Sequence, residues 1–294
     1  MLTEMSTDKF QRRSVPSTAS GSSERRRGNP STEESPYHRR KGPSTASEFS
    51  ERRQGVAFDG VVPMDTDELL GLLCVYVEDF LAIAPEGPIR DALIQALTSL
   101  WEFGPERVLS EETSLTFLGI DWIKRSNGDI FLTQERFTKE LLEKYNMLNC
   151  NPITCITMNK LLETDDIPSA ELLTELQSHA GAINWLATRT RPDLAYYTSL
   201  LASCASKQGA WSSDLSKKVI RYLAGTTEQG LTMAADGGED NLLVYSDDGF
   251  AGADTKSQNG FVIMWAGSII TWRSSRAALS ALSIAEAELC AAAL

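Results

Sequence analysis

The sequence lacks the features that mark membrane, secreted and zinc-stabilised proteins. No uninterrupted apolar run approaches the roughly 20 residues that a membrane-spanning helix needs, and the opening stretch, MLTEMSTDKF, has no secretory apolar core. The five cysteines form no CxxC pair, and only two histidines accompany them, which does not favour a structural zinc site. We therefore expect an intracellular protein, cytoplasmic or nuclear, with free thiols and no membrane partner.

Positive charge is also scarce. The formal net charge is -12 at pH 7. A protein that binds phosphates over its whole surface carries a net positive charge instead. Residues 1–55 hold eleven Lys and Arg against seven Asp and Glu, a net +4 that leaves -16 for the remainder. Any contact with nucleic acid must therefore be local, or be made by a partner.

The first 55 residues contain a tandem repeat. Its copies, PSTASGSSERRRG, PSTEESPYHRRKG and PSTASEFSERRQG, begin at positions 16, 30 and 43 and align without gaps. Ser, Pro, Arg and Glu dominate, so burial cannot offset the entropy of ordering this segment. We predict a disordered tail, either a solvated expansion or a basic arm that binds RNA or is phosphorylated.

The remaining sequence predicts an α+β chain. Two apolar runs, at 69–77 and 80–84, flank Glu78 and Asp79 and predict buried strands joined by a tight acidic turn. Helical spacing predicts a helix over 89–103. Asn127-Gly128 predicts a hairpin with a two-residue turn, and Thr133 is placed to cap a helix through residue 147.

The second half of the chain predicts a helical block followed by strands. Pro192 suits the first turn of a helix, and a glycine-rich stretch at 234–240 marks a boundary. The predicted helices cover 170–188, 192–205 and 212–224, the predicted strands cover 242–248, 260–267 and 268–272, and a closing helix begins at 283.

Six short motifs follow one another between residues 69 and 294. They read YVED at 76, FLGI at 117 with LTQ at 132, TRPDL at 190, RYLAGT at 221, YSDDGFAG at 245 and AEAEL at 285. They resemble the YVDD, FLGI with LSQ, TRPDI, RYLxGT, YSDADWAG and TEAEY boxes of copia-type retrotransposon Pol polyproteins. The order resembles the C-terminal part of a reverse transcriptase joined to the N-terminal part of a ribonuclease H.

This resemblance implies a domain plan for the whole chain. Residues 1–55 form the disordered repeat tail, and residues 56–147 form a truncated polymerase palm with its following hairpin and helix. Residues 148–238 form a helical thumb and connection, and residues 239–294 form an incomplete ribonuclease H-like α/β domain.

The resemblance also implies two-metal chemistry with Mg²⁺, because this hard cation prefers carboxylate oxygens. Glu78 and Asp79 match the paired aspartates of the polymerase turn, and Asp247 and Glu288 match the first two acids of ribonuclease H. We predict these four residues as vestigial catalytic groups and metal ligands, with no tightly bound metal in this chain.

Departures from the family pattern argue against activity. Glu78 is one methylene longer than aspartate, and the third polymerase aspartate has no match in a strand with the family's flanking pattern. Gly249 replaces the second aspartate of YSDAD, while Asp248 stands where alanine is usual. Two further ribonuclease H acids belong to segments beyond the last helix, so we expect the metal pair to be incomplete.

The resemblance implies an RNA–DNA hybrid or template-primer as partner. The basic residues that we predict to line its channel are Arg189, Arg191, Lys217, Lys218 and Arg221. An incomplete ribonuclease H sheet would leave residues 242–245 as an unpaired apolar edge, which we expect to promote self-association. We predict an inert polyprotein fragment, with a nucleic-acid-binding module or an enzyme completed by another chain as alternatives.

Overall fold

The computed structural model describes residues 2–6, 70–158, 166–236, 241–249, 257–277 and 283–292. Most of the predicted repeat tail, residues 1–55, lies outside these residues. The chain divides into an N-terminal unit of residues 1 and 5–105, and a C-terminal unit of residues 2–4 and 106–294. The architecture is mixed α and β with antiparallel sheets, as the sequence predicts.

The N-terminal unit is a hairpin and a helix. Strand β1 (Leu2–Ser6) contributes Met5 to this unit, and β2 (Leu72–Tyr76) pairs antiparallel with β3 (Asp79–Ile83). Helix α1 (Pro88–Leu100) follows, which confirms the predicted helix and ends it three residues early.

The hydrophobic core of this unit forms around β3. Met5, Phe80 and Leu97 are buried together, and the Phe80 ring meets Phe103 edge to face at 4.9 Å between centroids. Strand β3 is buried, as expected, but β2 is exposed along its whole length. The expectation of two buried strands is therefore wrong for β2, because β2 is the outer strand of its sheet and pairs only with β3 within the described residues.

The C-terminal unit contains two antiparallel sheets and five α-helices among the described residues. In chain order its elements are β4 (Arg107–Val108), β5 (Leu115–Phe117), β6 (Ile120–Lys124), β7 (Ile130–Thr133), α2 (Glu135–Lys144), α3 (Ala170–Ala187), a 3-10 turn (Pro192–Leu194), α4 (Ala195–Cys204), α5 (Gly209–Gly225), β8 (Leu231–Met233), β9 (Leu242–Gly249), β10 (Gln258–Trp265), β11 (Ser268–Arg276) and α6 (Ile284–Ala292). The predicted helices at 170–188, 192–205 and 212–224 are confirmed within a few residues. Helix α2 ends at Lys144, not at residue 147.

The hairpin of β6 and β7 turns differently from the prediction. Arg125 donates its backbone N–H to Asp129, so three residues form the loop, and Gly128 alone has a positive φ, of 89°. This is a three-residue loop closed by a glycine bulge rather than a two-residue turn. The predicted cap is wrong by one position, because Gln134 is the N-cap residue of α2; the Thr133 hydroxyl, one residue earlier, accepts the backbone N–H of Glu135.

Helices α3, α4 and α5 enclose the main core. Ile183, Leu186, Leu201, Val219 and Leu223 are completely buried there. The two residues from α3 are three positions apart and the two from α5 are four apart, which places each pair on one face of its helix, as the sequence pattern predicts. Helix α5, which contributes to this core, also carries the candidate residues Lys217, Lys218 and Arg221.

The last three strands form a sheet in the order β11, β10, β9. Within the described residues, β9 pairs only with β10, and Leu242, Leu243, Val244 and Tyr245 are exposed. Helix α6 lies against β9 and β10. No helix in the described ranges is both long and apolar enough to cross a bilayer.

Candidate functional site

The acidic turn of the N-terminal unit connects β2 to β3. Tyr76 pairs with Asp79, and Val77 and Glu78 form the turn between them. Val77 has a φ of 52°, which is a strained value for a β-branched residue. Glu78 is exposed and Asp79 is half-buried at the start of β3. The predicted acidic pair therefore does lie at a tight, strained turn.

The second acidic pair lies in the C-terminal unit on elements that touch each other. Asp247 is in β9 and Glu288 is in α6, and both side chains are exposed. Asp247 lies opposite Gly260 of β10, which has no side chain to cover the carboxylate.

Asp248 does not supply a second acid beside Asp247. Successive strand residues point to opposite faces of a sheet, so the two carboxylates face apart. Asp248 is 8% exposed, and neither of its carboxylate oxygens has a hydrogen-bond partner within the described residues. Its cross-strand neighbour Asn259 is 3% exposed, and its side-chain oxygen also lacks a partner there. Burying such a carboxylate costs stability.

Gly249 is the position that would share a face with Asp247. A Cβ atom built there would meet only the carbonyl oxygen of Gln258, at 3.5 Å, which is an ordinary contact. Packing therefore permits a side chain at 249. No group of three or more His, Cys, Asp or Glu side chains within the described ranges is arranged to hold a metal. The acids at 247 and 288, with none at 249, do not fit a two-metal centre.

Arg191, in the TRPDL motif, is buried and donates hydrogen bonds to four acceptor atoms. Its guanidinium binds Asp193 in a bidentate manner, with Nε to Oδ1 at 3.0 Å and Nη2 to Oδ2 at 2.8 Å. It also donates to the carbonyl oxygen of Thr226 at 2.9 Å and to its hydroxyl at 2.8 Å. Only 2% of Arg191 is exposed, which argues against the predicted direct contact with nucleic acid.

Two other motifs meet TRPDL at the same place. Thr190 donates its hydroxyl to the side-chain oxygen of Gln134, from the LTQ motif, at 2.9 Å. Tyr222, from RYLAGT, donates to Asp193 at 2.9 Å, and its burial together with this bond raises the pKa of its hydroxyl. We call these residues, with Arg191 and Thr226, the motif network. The sequence reasoning found the motifs but missed that their polar residues bind one another.

The other predicted basic residues have different surroundings. Arg189 is exposed and lies over the Trp185 ring, 4.9 Å from its centroid. Lys217 is exposed, and Lys218 pairs with Asp214 at 2.8 Å. Arg221 donates to the carbonyl oxygen of Asn151 at 2.7 Å. A nucleic-acid role for these residues stays a prediction.

His179 is a buried polar group between α3 and α5. Its Nδ1 lies 2.6 Å from the hydroxyl of Ser216, and its ring meets Tyr145 edge to face. Burial lowers the pKa of His179, and this effect outweighs the nearby Glu175 carboxylate, which acts in the opposite direction. Ser216 is 1% exposed, so this pair is inaccessible to a substrate and is a structural contact.

Comparison with known proteins finds no matching family model. An uncharacterized mitochondrial protein of Arabidopsis thaliana is 28% identical over 230 residues, which cover 76% of this chain and 90% of that protein. The retrovirus-related Pol polyprotein from transposon TNT 1-94 of Nicotiana tabacum is 26% identical over 235 residues, 75% of this chain and 17% of the polyprotein. The corresponding polyprotein from transposon RE2 of Arabidopsis thaliana is 30% identical over 219 residues, 74% of this chain and 14% of the polyprotein. The chain spans less than a fifth of either polyprotein.

Proposed function

The chain is a relative of the retrotransposon Pol polyproteins, as its motifs predict, and on this premise we propose that it holds nucleic acid without polymerising or cleaving it. The parent activities that we assign are RNA-directed DNA synthesis and cleavage of RNA–DNA hybrids, with Mg²⁺ as the metal. The partner is an RNA–DNA hybrid or a template-primer.

The arrangement of acids on β9 carries the proposal of inactivity. Asp247 faces one side of the sheet, Asp248 is buried on the other, and Gly249 adds no carboxylate. A metal pair needs acids that converge, and these two diverge. In the N-terminal unit, Glu78 lengthens the side chain by one methylene, and a misplacement of about 1 Å can lower a rate by about 10²-fold.

Exposed basic residues support the proposal of binding. Lys217 is exposed on α5, and Arg189 is exposed in the turn that follows α3; both helices contribute residues to the buried core. A rigid helical scaffold that presents exposed cations suits backbone-directed, sequence-independent contact with a nucleic acid.

We assign residues 148–238 to the thumb and connection, residues 56–147 to the palm, and residues 239–294 to the ribonuclease H-like domain.

Activity assays test this proposal directly. We expect the purified chain, with Mg²⁺ and a labelled primer-template or RNA–DNA hybrid, to retain the nucleic acid in a salt-dependent manner and to form no product. Product that disappears on Asp79→Ala or Asp247→Ala would overturn the proposed inactivity. A hybrid that is not retained even at low salt would overturn the proposed binding.

The open edge of β9 favours one alternative, an enzyme completed by a second chain. Four exposed apolar residues, 242–245, lie on a strand that pairs on one side only within the described residues. Such an edge is a template for another strand. On this reading, hybrid cleavage appears only at concentrations where the chain self-associates, and Val244→Lys abolishes both association and cleavage. Cleavage that is absent at every concentration rejects this alternative.

A further inference from the structure

A cleft of about 620 Å³ lies in the C-terminal unit where α3 and α4 face β11. A smaller cavity of about 230 Å³ adjoins it, because Thr188 and Trp272 line both. Trp272 is fixed between them, since its indole N–H donates to the carbonyl oxygen of Ala187 at 2.7 Å. We call the two cavities together the α4–β11 groove.

Two hydroxyl groups in this groove have protons left to donate. The side-chain amide of Gln258 uses both of its N–H bonds, one to the Ser199 hydroxyl oxygen at 3.0 Å and one to the Ser274 hydroxyl oxygen at 2.9 Å. Each serine accepts in this arrangement, and neither hydroxyl donates to another described residue. By contrast, the hydroxyls of Thr188 and Thr198 donate hydrogen bonds to backbone carbonyl oxygens of their own helices. The groove therefore offers two oriented donors.

The charge around the groove has one sign. Arg273 lines the larger cleft and Arg189 lines the smaller cavity, and neither forms an ion pair with another residue in the described ranges. No Asp or Glu of the described residues lines either cavity. In a chain of net charge -12 this is a local exception. A different cleft, beside α2, is lined by Asp121, Glu135, Glu140 and Glu143.

We propose that the α4–β11 groove binds the phosphodiester backbone of a nucleic-acid strand. Arg189 attracts the strand by charge, and the Ser199 and Ser274 hydroxyls donate to phosphate oxygens, which are strong acceptors. Trp272 and the small residues along α4 keep the groove open. This inference rests on the proposed function and names the site at which the nucleic acid is held. It adds Ser199 and Ser274, which the sequence analysis did not single out.

Fluorescence anisotropy with a labelled RNA–DNA hybrid at several KCl concentrations tests the groove. Arg189→Gln removes one phosphate contact, so we expect about tenfold weaker binding near 0.1 M KCl and a salt slope smaller by about 0.9. The double variant Ser199→Ala, Ser274→Ala removes neutral donors, so we expect about tenfold weaker binding with an unchanged slope. Replacing both serines by threonine keeps the hydroxyls and restores affinity. Arg136→Gln, an equal charge change beside the acid-lined cleft, leaves both quantities unchanged.

The outcomes separate the inference from the proposed function. Wild-type protein that fails to bind the hybrid overturns both. Wild-type binding that none of the groove variants weakens overturns the groove alone. Inorganic phosphate, added while KCl is lowered to keep the ionic strength constant, is the second arm. Bulk screening is then unchanged, so we expect phosphate to displace the hybrid from neither the wild type nor the double alanine variant. If low millimolar phosphate displaces the hybrid from the wild type but not from the double alanine variant, the groove is a site for phosphate ions, and the proposal of strand binding is overturned. Thermal unfolding confirms that each variant is folded.

Discussion

Replacing Arg191 is the most informative test of the motif network. Arg191→Met keeps the apolar stem but removes every donor, so the carbonyl and hydroxyl of Thr226 lose their charged partner. Removing one member of a buried ion pair costs about 3–5 kcal/mol. Asp193 is 34% exposed on its side chain and keeps Tyr222, so it is partly rehydrated. We therefore expect the low end, about 3 kcal/mol.

Urea and thermal unfolding, followed by far-ultraviolet circular dichroism, measure this loss. At about 2–4 °C per kcal/mol for a unit of this size, the midpoint should fall by about 6–12 °C. Arg191→Lys keeps the charge but loses the planar fork, so we expect it to recover less than half of the lost stability. Arg189→Met is the matched control: it removes an exposed arginine over Trp185 and should cost about 1 kcal/mol or less.

The result that would refute this reasoning is a loss below 1 kcal/mol for Arg191→Met. It would mean that the network contributes no more than an exposed ion pair, and that burial of Arg191 has another cause. A loss for Arg189→Met as large as that for Arg191→Met would equally contradict the structural role assigned to Arg191.

Three further variants test other buried or strained groups. Burial lowers the pKa of His179 below 6.5, so the folded chain should lose stability as the pH falls below 6.5. Urea unfolding between pH 8 and 5 should show that His179→Gln removes this dependence. If the free energy of unfolding of the variant depends on pH as it does in the wild type, the prediction is wrong. Asp248→Asn removes a buried carboxylate without partners among the described residues and should raise the free energy of unfolding by about 1–2 kcal/mol, whereas a loss would show that the charge is paired. Val77→Asn places a residue that tolerates positive φ at 52° and should stabilise the hairpin by roughly 0.5–1 kcal/mol, measured by thermal unfolding; destabilisation would mean that the turn is not strained.

The sequence predicted the elements better than it predicted their surroundings. Helices α3, α4 and α5 follow from apolar spacing and from Pro192 at the start of a turn, both of which act locally. The exposure of β2 could not be predicted in this way, because the same apolar run suits a strand that packs on either face or on neither. Burial is decided by what lies against a strand, and strand periodicity does not contain that information.

The candidate site shows the same limit. The acids at 78, 79, 247 and 288 were found from motif order, but the burial of Asp248 is known only once β9 is placed in the fold. Arg191 was predicted to touch nucleic acid because it is basic and lies in a region whose family resemblance implies a duplex channel. Its bidentate bond to Asp193 could have been suspected, since Arg and Asp two residues apart flank a proline that fixes the turn.

Anomalous scattering from Mn²⁺ in crystals of the chain tests the central claim most directly. Mn²⁺ takes the oxygen ligands that Mg²⁺ takes, and its anomalous signal identifies it. We predict no ordered ion pair at Asp79 or between Asp247 and Glu288 in the wild-type chain. In Gly249→Asp, where packing leaves room for a second carboxylate on the face of Asp247, we predict ordered density for one ion. Two ordered Mn²⁺ ions at either acidic pair of the wild-type chain would contradict the account.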